Sequence, residues 1–359
     1  SSQKNYNIEP SISTSYEIGT EFRLFNNRLW GDFNYYTRDD KDQIISVTSA
    51  PQSGYSTRKM NAGLIRNRGV ELSLGGMPVS TKNWKWEMNF NIAKNSNKLV
   101  ELADGVDSYS IYWTSFTTRL YNYAMVGKSL GVITGNTWER DDNGNIIFHE
   151  LSASQKALYG GEYVPTYNQN TLDELGNFHP DFTGGFNTSI SFKNFRLSAN
   201  IDFSVGGQIV SYTNMWGSSS GILDKTAELN DRGVNVREPV SKGGGIHMTG
   251  VDQDGNKVDT YVNAKLYYTT ASRVWEEWVY DRTYVKLREV SLSYVFPSQT
   301  LKKLNIGLSR ASVAINASNP WLIYSACPNV DVSEIGMGYF EGGNAAATRS
   351  IGFTVNLAF

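Results

Sequence analysis

Cysteine is nearly missing from this sequence: Cys327 is the only one in 359 residues. That excludes an internal disulfide framework and makes the residue read as a buried or unreactive thiol. Histidine is scarce too. His149, His179 and His247 fall in stretches that read as loops, at no metal-ligand spacing. Neither sign of charge prevails, since 33 Lys and Arg meet 35 Asp and Glu for a net −2, so no basic surface points to nucleic acid. No run approaches eighteen apolar residues, which excludes a transmembrane helix. No charged, apolar leader opens the chain, so the start reads as mature or truncated. Aromatic residues are abundant instead, with 21 Tyr, 16 Phe and 9 Trp beside 33 Gly. Rich aromatics at modest hydropathy fit soluble all-β proteins. They also fit outer-membrane barrels, whose lumen is polar and whose lipid face is girdled by aromatics.

Alternation decides the element type. In the closing "SIGFTVNLAF", Ile351, Phe353, Val355, Leu357 and Phe359 share one face of a strand. "TSYEIGTEFRL" alternates Tyr16, Ile18, Thr20, Phe22 and Leu24 with Ser15, Glu17, Gly19, Glu21 and Arg23. "LWGDFNYYTR" follows after an Asn26-Asn27 turn, then "GVELSLGG" and "WKWEMNFNI". "FNTSISF" and "FRLSANIDFSV" pair through Lys193-Asn194, and "EVSLSYVFP" and "ASVAINAS" repeat the pattern. The lipid-facing set expected from this phase is Tyr16, Phe22, Phe33, Met88, Phe90, Phe203, Leu292, Phe353 and Leu357.

These segments run to about ten residues, enough to cross a bilayer at a tilt. Their connections alternate between short turns and the long stretches 39–63, 94–181, 208–281 and 319–347. Short turns at one end and long outer loops at the other are the membrane-barrel arrangement. Segment 118–139 reads either as a further membrane hairpin or as structure within an outer loop. Two strands change phase. Val285 and Leu287 sit off the face of Val290, Leu292 and Tyr294; Leu304, Ile306 and Leu308 sit off that of Ala311, Val313 and Ile315. Either a bulge intervenes or the membrane portion begins after the slip.

Several stretches resemble the SusC-like (SusC/RagA) TonB-dependent transporters of Gram-negative outer membranes. "NAGLIRNRGVELSL", with Asn61, Gly63, Ile65, Asn67, Gly69, Glu71 and Leu72, carries the likeness best. "PDFTGGFNTSISFKNFRLS" with Gly206-Gly207, "YDRTYVKLREVSLSYVFP" and "TRSIGFTVNLAF" add to it. The resemblance implies an all-β, antiparallel transmembrane β-barrel of about twenty-two strands. It also implies an N-terminal plug, a SusD-like surface lipoprotein partner and drive from TonB–ExbB–ExbD. Residues 1–359 then look like the C-terminal part of the barrel, without the plug or the early strands, which an N-terminal segment of the same transporter would supply. The implied function is active import of an oligosaccharide or peptide, with no bond chemistry and no cofactor. The alternative is a soluble or surface-attached β-sandwich that binds carbohydrate.

No nucleophile elbow or phosphate loop is present. Glu17, Glu21, Glu71 and Glu87 read as a polar lumen wall rather than a glycosidase pair. "DDNGN" offers Asp141, Asp142, Asn143 and Asn145, and "DQDGNKVD" offers Asp252, Asp254, Asn256 and Asp259, as weak calcium candidates without a distal bidentate glutamate. Both also read as hairpin turns. Trp113, Trp138, Trp216 and Trp321 stand in loop stretches and are the candidates for substrate or partner contact, against packing within their own loops. Stretch 208–281 is the candidate docking segment for the lipoprotein.

Overall fold

The computed structural model describes residues 2–48, 52, 54–55, 57–103, 105–115, 118–169, 172–304, 307–335, 339–343, 345 and 347–359. Nine antiparallel strands form one open sheet in chain order. They are β1 (Ile12–Leu24), β2 (Leu29–Thr48), β3 (Thr57–Ser80), β4 (Trp84–Glu101), β5 (Phe182–Phe192), β6 (Phe195–Val205), β7 (Tyr284–Val295), β8 (Arg310–Ser325) and β9 (Ser350–Ala358). The short strand Ser2–Gln3 adds parallel pairing to the outer end of β3. Among the described residues no second sheet of this size faces the nine, so the sandwich alternative is not the architecture.

Register keeps one chemistry to each face. Phe22, Gly31, Leu74, Phe90, Phe186, Ile201, Leu287 and Trp321 stand opposite one another in a single row across eight strands. One residue along, Trp30, Gly75, Asn89, Asn187, Asn200 and Glu289 form a row on the other face. Uncovered apolar residues are costly in water but not in lipid, so the first face is the membrane face. Tyr16, Phe33, Leu292, Phe353 and Leu357 are exposed there. Trp86 is also on it, and its indole N–H donates to Thr188 Oγ1 at 2.9 Å rather than going unpaired.

The short-turn end carries an aromatic band. Trp84 packs on Phe192 at 4.3 Å, Phe195 on Tyr294 at 4.7 Å, and Tyr294 on Phe296 at 5.1 Å. Amphipathic rings of this kind belong at a membrane interface. The turns themselves follow their chemistry. Asn26 and Asn27 take φ of 53° and 62°, and Lys193 takes 52° in the two-residue β5–β6 turn. Asn194 Nδ2 ties that turn to the carbonyl of Val295 at 2.7 Å.

Both phase changes resolve. In β7 the pairing skips Arg288 between Leu287 and Glu289, a bulge that returns Val285 and Leu287 to the membrane face with Val290 and Leu292. Before β8, residues 298–304 are helical and the strand begins at Arg310, so the second slip lies outside the membrane portion; Ile306 is outside the described residues.

The loop boundaries need correction. Stretch 39–63 is largely paired strand, from Asp39 opposite Arg66 to Thr48 opposite Thr57. β4 likewise runs on to Glu101 and β8 to Ser325. Beyond the bilayer both faces of a strand meet water, so the apolar alternation that marks a membrane strand is lost although the hydrogen bonding continues. Segment 118–139 is no membrane hairpin. Arg119–Met125 and Val132–Gly135 pair with each other, inside a separate four-stranded sheet with Ser108–Ser115 and Asp173–Asn177.

The long connections fold together into an outer cap. Trp138, Phe148, Tyr212, Met215, Val236, Val258, Val262, Tyr268, Trp275 and Trp278 share one buried core drawn from 102–181, 206–283 and the 326–349 segment. They are therefore structured elements with a hydrophobic interior, not independent surface loops.

Candidate functional site

Three regions of the polar face and its cap stand out: a polar wall, an ionic clasp between wall and cap, and an apolar pocket on the cap. The first is the wall itself. Asn89, Asn187 and Asn200 lie side by side with Glu289 beyond them, beside Glu87, Ser189, Arg196 and Ser198. Arg196 Nε donates to Ser189 Oγ at 2.8 Å, and Ser291 donates to Asn316, which donates to Thr354 at 3.0 Å. Of the wall carboxylates, Glu21 pairs with Arg23 and Glu87 with Lys85, at 2.8 and 2.9 Å. These two acids are neutralised by neighbours on a hydrogen-bonding wall.

The second surface joins wall to cap. Lys286 on β7 is only 1% exposed. Its ammonium donates to Asp331 Oδ2 and Glu334 Oε1 at 2.7 Å and to Ser333 Oγ at 3.0 Å. Arg288 holds Asp202 of β6 through two bonds, at 2.8 and 2.9 Å, and also pairs with Glu334. The segment 331–334 is thereby clasped to the polar face. Burial raises the Asp331 carboxyl, yet bonds from Lys286 and Ser333 outweigh it and leave the group below its usual range. The bond from Lys286 does the same for Glu334. Cys327 lies beside this clasp with Ile209 and Val332, and burial pushes its thiol up to about 12, so it is inert.

The third is the cap's outer surface at the helix Tyr212–Ser219. Ser211 caps it, accepting from the Asn214 N–H at 3.1 Å. Buried Glu341 takes the Ser211 hydroxyl at 2.6 Å, the Thr213 N–H at 2.7 Å and the Thr213 hydroxyl at 2.8 Å. A carboxylate at a helix N-terminus is favoured by the helix dipole as well.

The tryptophans separate into different roles. Trp138 is a correction: it is 4% exposed, stacks on Tyr267 and donates to Glu277 Oε2 at 3.2 Å, so it is core. Trp321 is another, lying in β8 opposite Leu287 in the apolar row rather than in a loop. Trp113 stands opposite Tyr121 in the cap, and its side chain lies outside the described residues. Trp216 is 52% exposed at the edge of an apolar pocket and is the one of the four described on the cap surface.

The calcium candidates form turns. Asp252 Oδ1 accepts the N–H groups of Asp254 and Asn256 at 2.9 and 2.8 Å, and Asn256 Nδ2 donates to Oδ2 at 3.0 Å. Asp141 does the same with Asn143 and Asn145. Asp259 is paired with His247 at 2.8 Å. Among the described residues no group of three or more His, Cys, Asp or Glu is placed to hold a metal ion.

Lys286, Arg288, Asp331, Glu334 and Glu341 escaped the sequence reading. One signal was available: "VKLRE" puts two cations into a strand of membrane length, where unpaired charge is costly.

Residues 1–208 match the family described as TonB dependent receptor-like, beta-barrel. TonB-dependent receptor P3 of Formosa agariphila is 28% identical over 335 residues, covering 91% of this chain and 31% of that protein. TonB-dependent receptor SusC of Bacteroides thetaiotaomicron is 30% identical over 214 residues, covering 57% of this chain and 20% of its own length. The solved RagAB peptide importer in its closed-closed state superposes on 97% of this chain and 35% of its own with a TM-score of 0.69, at 18% identity. The chain thus spans about a third of the length of the curated relatives it matches.

Proposed function

The chain belongs to the TonB dependent receptor-like β-barrel family, and from that premise we propose that it is the C-terminal part of an outer-membrane importer driven by TonB–ExbB–ExbD. The cargo is an oligosaccharide or a peptide, and a SusD-like lipoprotein works on the cap. The observation that carries this reading is the division of the sheet: apolar rows uncovered on one face, polar rows and a folded cap on the other. A lipid-embedded wall with a gated polar passage needs that division. The SusC relative and the fold shared with the RagAB peptide importer support it. The role is transport, not catalysis.

The experiment is uptake of a labelled short peptide and a labelled glucose hexasaccharide by cells expressing the intact transporter, with and without the inner-membrane TonB complex. Energised uptake of one or both, together with a detergent-soluble outer-membrane band that unfolds in SDS only on heating, is expected. Failure to take up either cargo, or a water-soluble chain, overturns the reading. Docking of the lipoprotein on 208–281 is tested by exposed point substitutions such as Leu229→Asp, because Val236, Val258 and Val262 are in the cap core and a deletion through them would unfold it.

A further inference from the structure

The cap holds an apolar pocket to which the import reading gives no role. It opens where the helix Tyr212–Ser219 meets the backbone of Gly342 and Gly343, on the seam between segments 206–283 and 326–349. Tyr212, Trp216, Ile222 and Leu223 form its walls, and its volume is about 480 Å³. That lies within the ordinary range of about 300–1,000 Å³ for small-ligand sites. The seam is fixed by the parallel bridge of Ser211 with Glu341 and by the three hydrogen bonds that Glu341 accepts. A Cβ at Gly342 would meet the Tyr212 ring at 2.9 Å, whereas one at Gly343 would meet no described atom within 4 Å.

The described wall is mainly apolar side chain and glycine, with hydroxyls at Thr213, Ser220 and the Tyr212 ring. Thr213 gives its hydroxyl to Glu341, whose carboxylate also accepts the Ser211 hydroxyl, so it is already committed. Ser220 is the exposed hydroxyl beside them. Trp216 and Ile222 remain 52% and 78% exposed at the mouth. A sugar ring stacked on Trp216 needs partners for the hydroxyls around its edge, and a hydroxyl buried without one is penalised. An aliphatic or aromatic side chain needs none. Resting on the import reading above, we infer that this pocket receives one bulky apolar side chain of a peptide cargo, so that the transporter selects peptides bearing such a residue over oligosaccharides.

The test is isothermal titration of the purified intact transporter with a Gly/Ser peptide carrying one central phenylalanine, its alanine counterpart, and a linear glucose hexasaccharide. The phenylalanine peptide should bind at least about tenfold more tightly than the alanine peptide, equivalent to about 1.4 kcal/mol. Trp216→Ala and Ile222→Ser should each cut that preference to about twofold, and Trp216→Phe should restore most of it. Both positions are exposed, and retention of a heat-modifiable band checks folding. A preference that survives both substitutions overturns the assignment while import stands. So does hexasaccharide binding that is lost with Trp216. Loss of a copurifying lipoprotein with the phenylalanine preference retained also overturns it, in favour of a partner's side chain in the pocket. Absence of any cargo uptake by the unaltered transporter is the separate result that removes the import reading.

Discussion

Trp30 lies across Gly75, its partner on the neighbouring strand, and Tyr36 lies across Gly69 in the same way. Phe22 over Gly31 and Phe203 over Gly184 repeat the device on the membrane face. An aromatic ring laid over a cross-strand glycine restores the contact that the glycine lacks and pins register. A methyl group at Gly75 would fall within the Trp30 ring, whereas at the adjacent Gly76 its nearest neighbour is the Arg28 carbonyl at 3.7 Å. Gly75→Ala is therefore expected to destabilise the folded barrel by about 1–3 kcal/mol, the usual cost of overpacking. Gly76→Ala should change it by less than about 0.5 kcal/mol. Urea titration of the two variants in lipid vesicles measures the difference, and equal effects would show that the rings do not sit on the glycines. The glycines were visible in "GVELSLGG" as part of a strand, but which ring covers which glycine depends on register, and one strand read alone does not contain it. The same limit governed the tryptophans. Trp138 and Trp216 stand in similarly polar stretches, and only the packing of three separate connections makes one core and the other surface.

At the level of the element, β7 was legible as a strand with a fault in its phase, and both candidate reasons were open. The bulge at Arg288 is the answer, and its consequence is electrostatic: Lys286, Arg288 and Glu289 all reach the polar face. Segment 331–334 meets Lys286 and Arg288 from more than forty positions away in sequence, so periodicity in β7 carried no trace of it. Lys286→Met would leave Asp331 and Glu334 without their ammonium donor, and is expected to cost the cap about 1.5–3 kcal/mol, the value of a hydrogen bond to a charged group. Both carboxyls are held below their ordinary range in the folded protein. Their contribution is thus fully present above the unfolded carboxylate range and is lost as pH falls through the lower, folded values. The stability gap between the native protein and Lys286→Met should be constant from about pH 8 to 5 and shrink below about pH 4. Thermal unfolding of both across that range tests it, and a gap that widens in acid would mean that the lysine is not what the acids serve.

In the whole molecule the nine strands are legible from alternation, and the sheet takes them in sequence order. Closure does not follow. β1 pairs only with β2, and β9 only with β8, among the described residues. Phe359 and the residues of β9 are exposed throughout. An open edge in lipid leaves a row of unpaired N–H and C=O groups, each costing several kcal/mol, and there are two such edges. We propose that a segment of the same transporter outside residues 1–359, carrying the plug and the earlier strands, completes the barrel and pairs with both edges. In the intact transporter the amide protons of β1 and β9 should then exchange as slowly as those of β5, which has neighbours on both sides. In residues 1–359 refolded alone in detergent, β1 and β9 should exchange far faster than β5. The competing arrangement is a small barrel closed by β1 against β9. Cysteines placed by Thr20→Cys and Val355→Cys, together with Cys327→Ser, report on it directly. A rapid, high-yield disulfide between them within a single chain, with slow exchange along both strands, would establish self-closure and remove the need for any other segment.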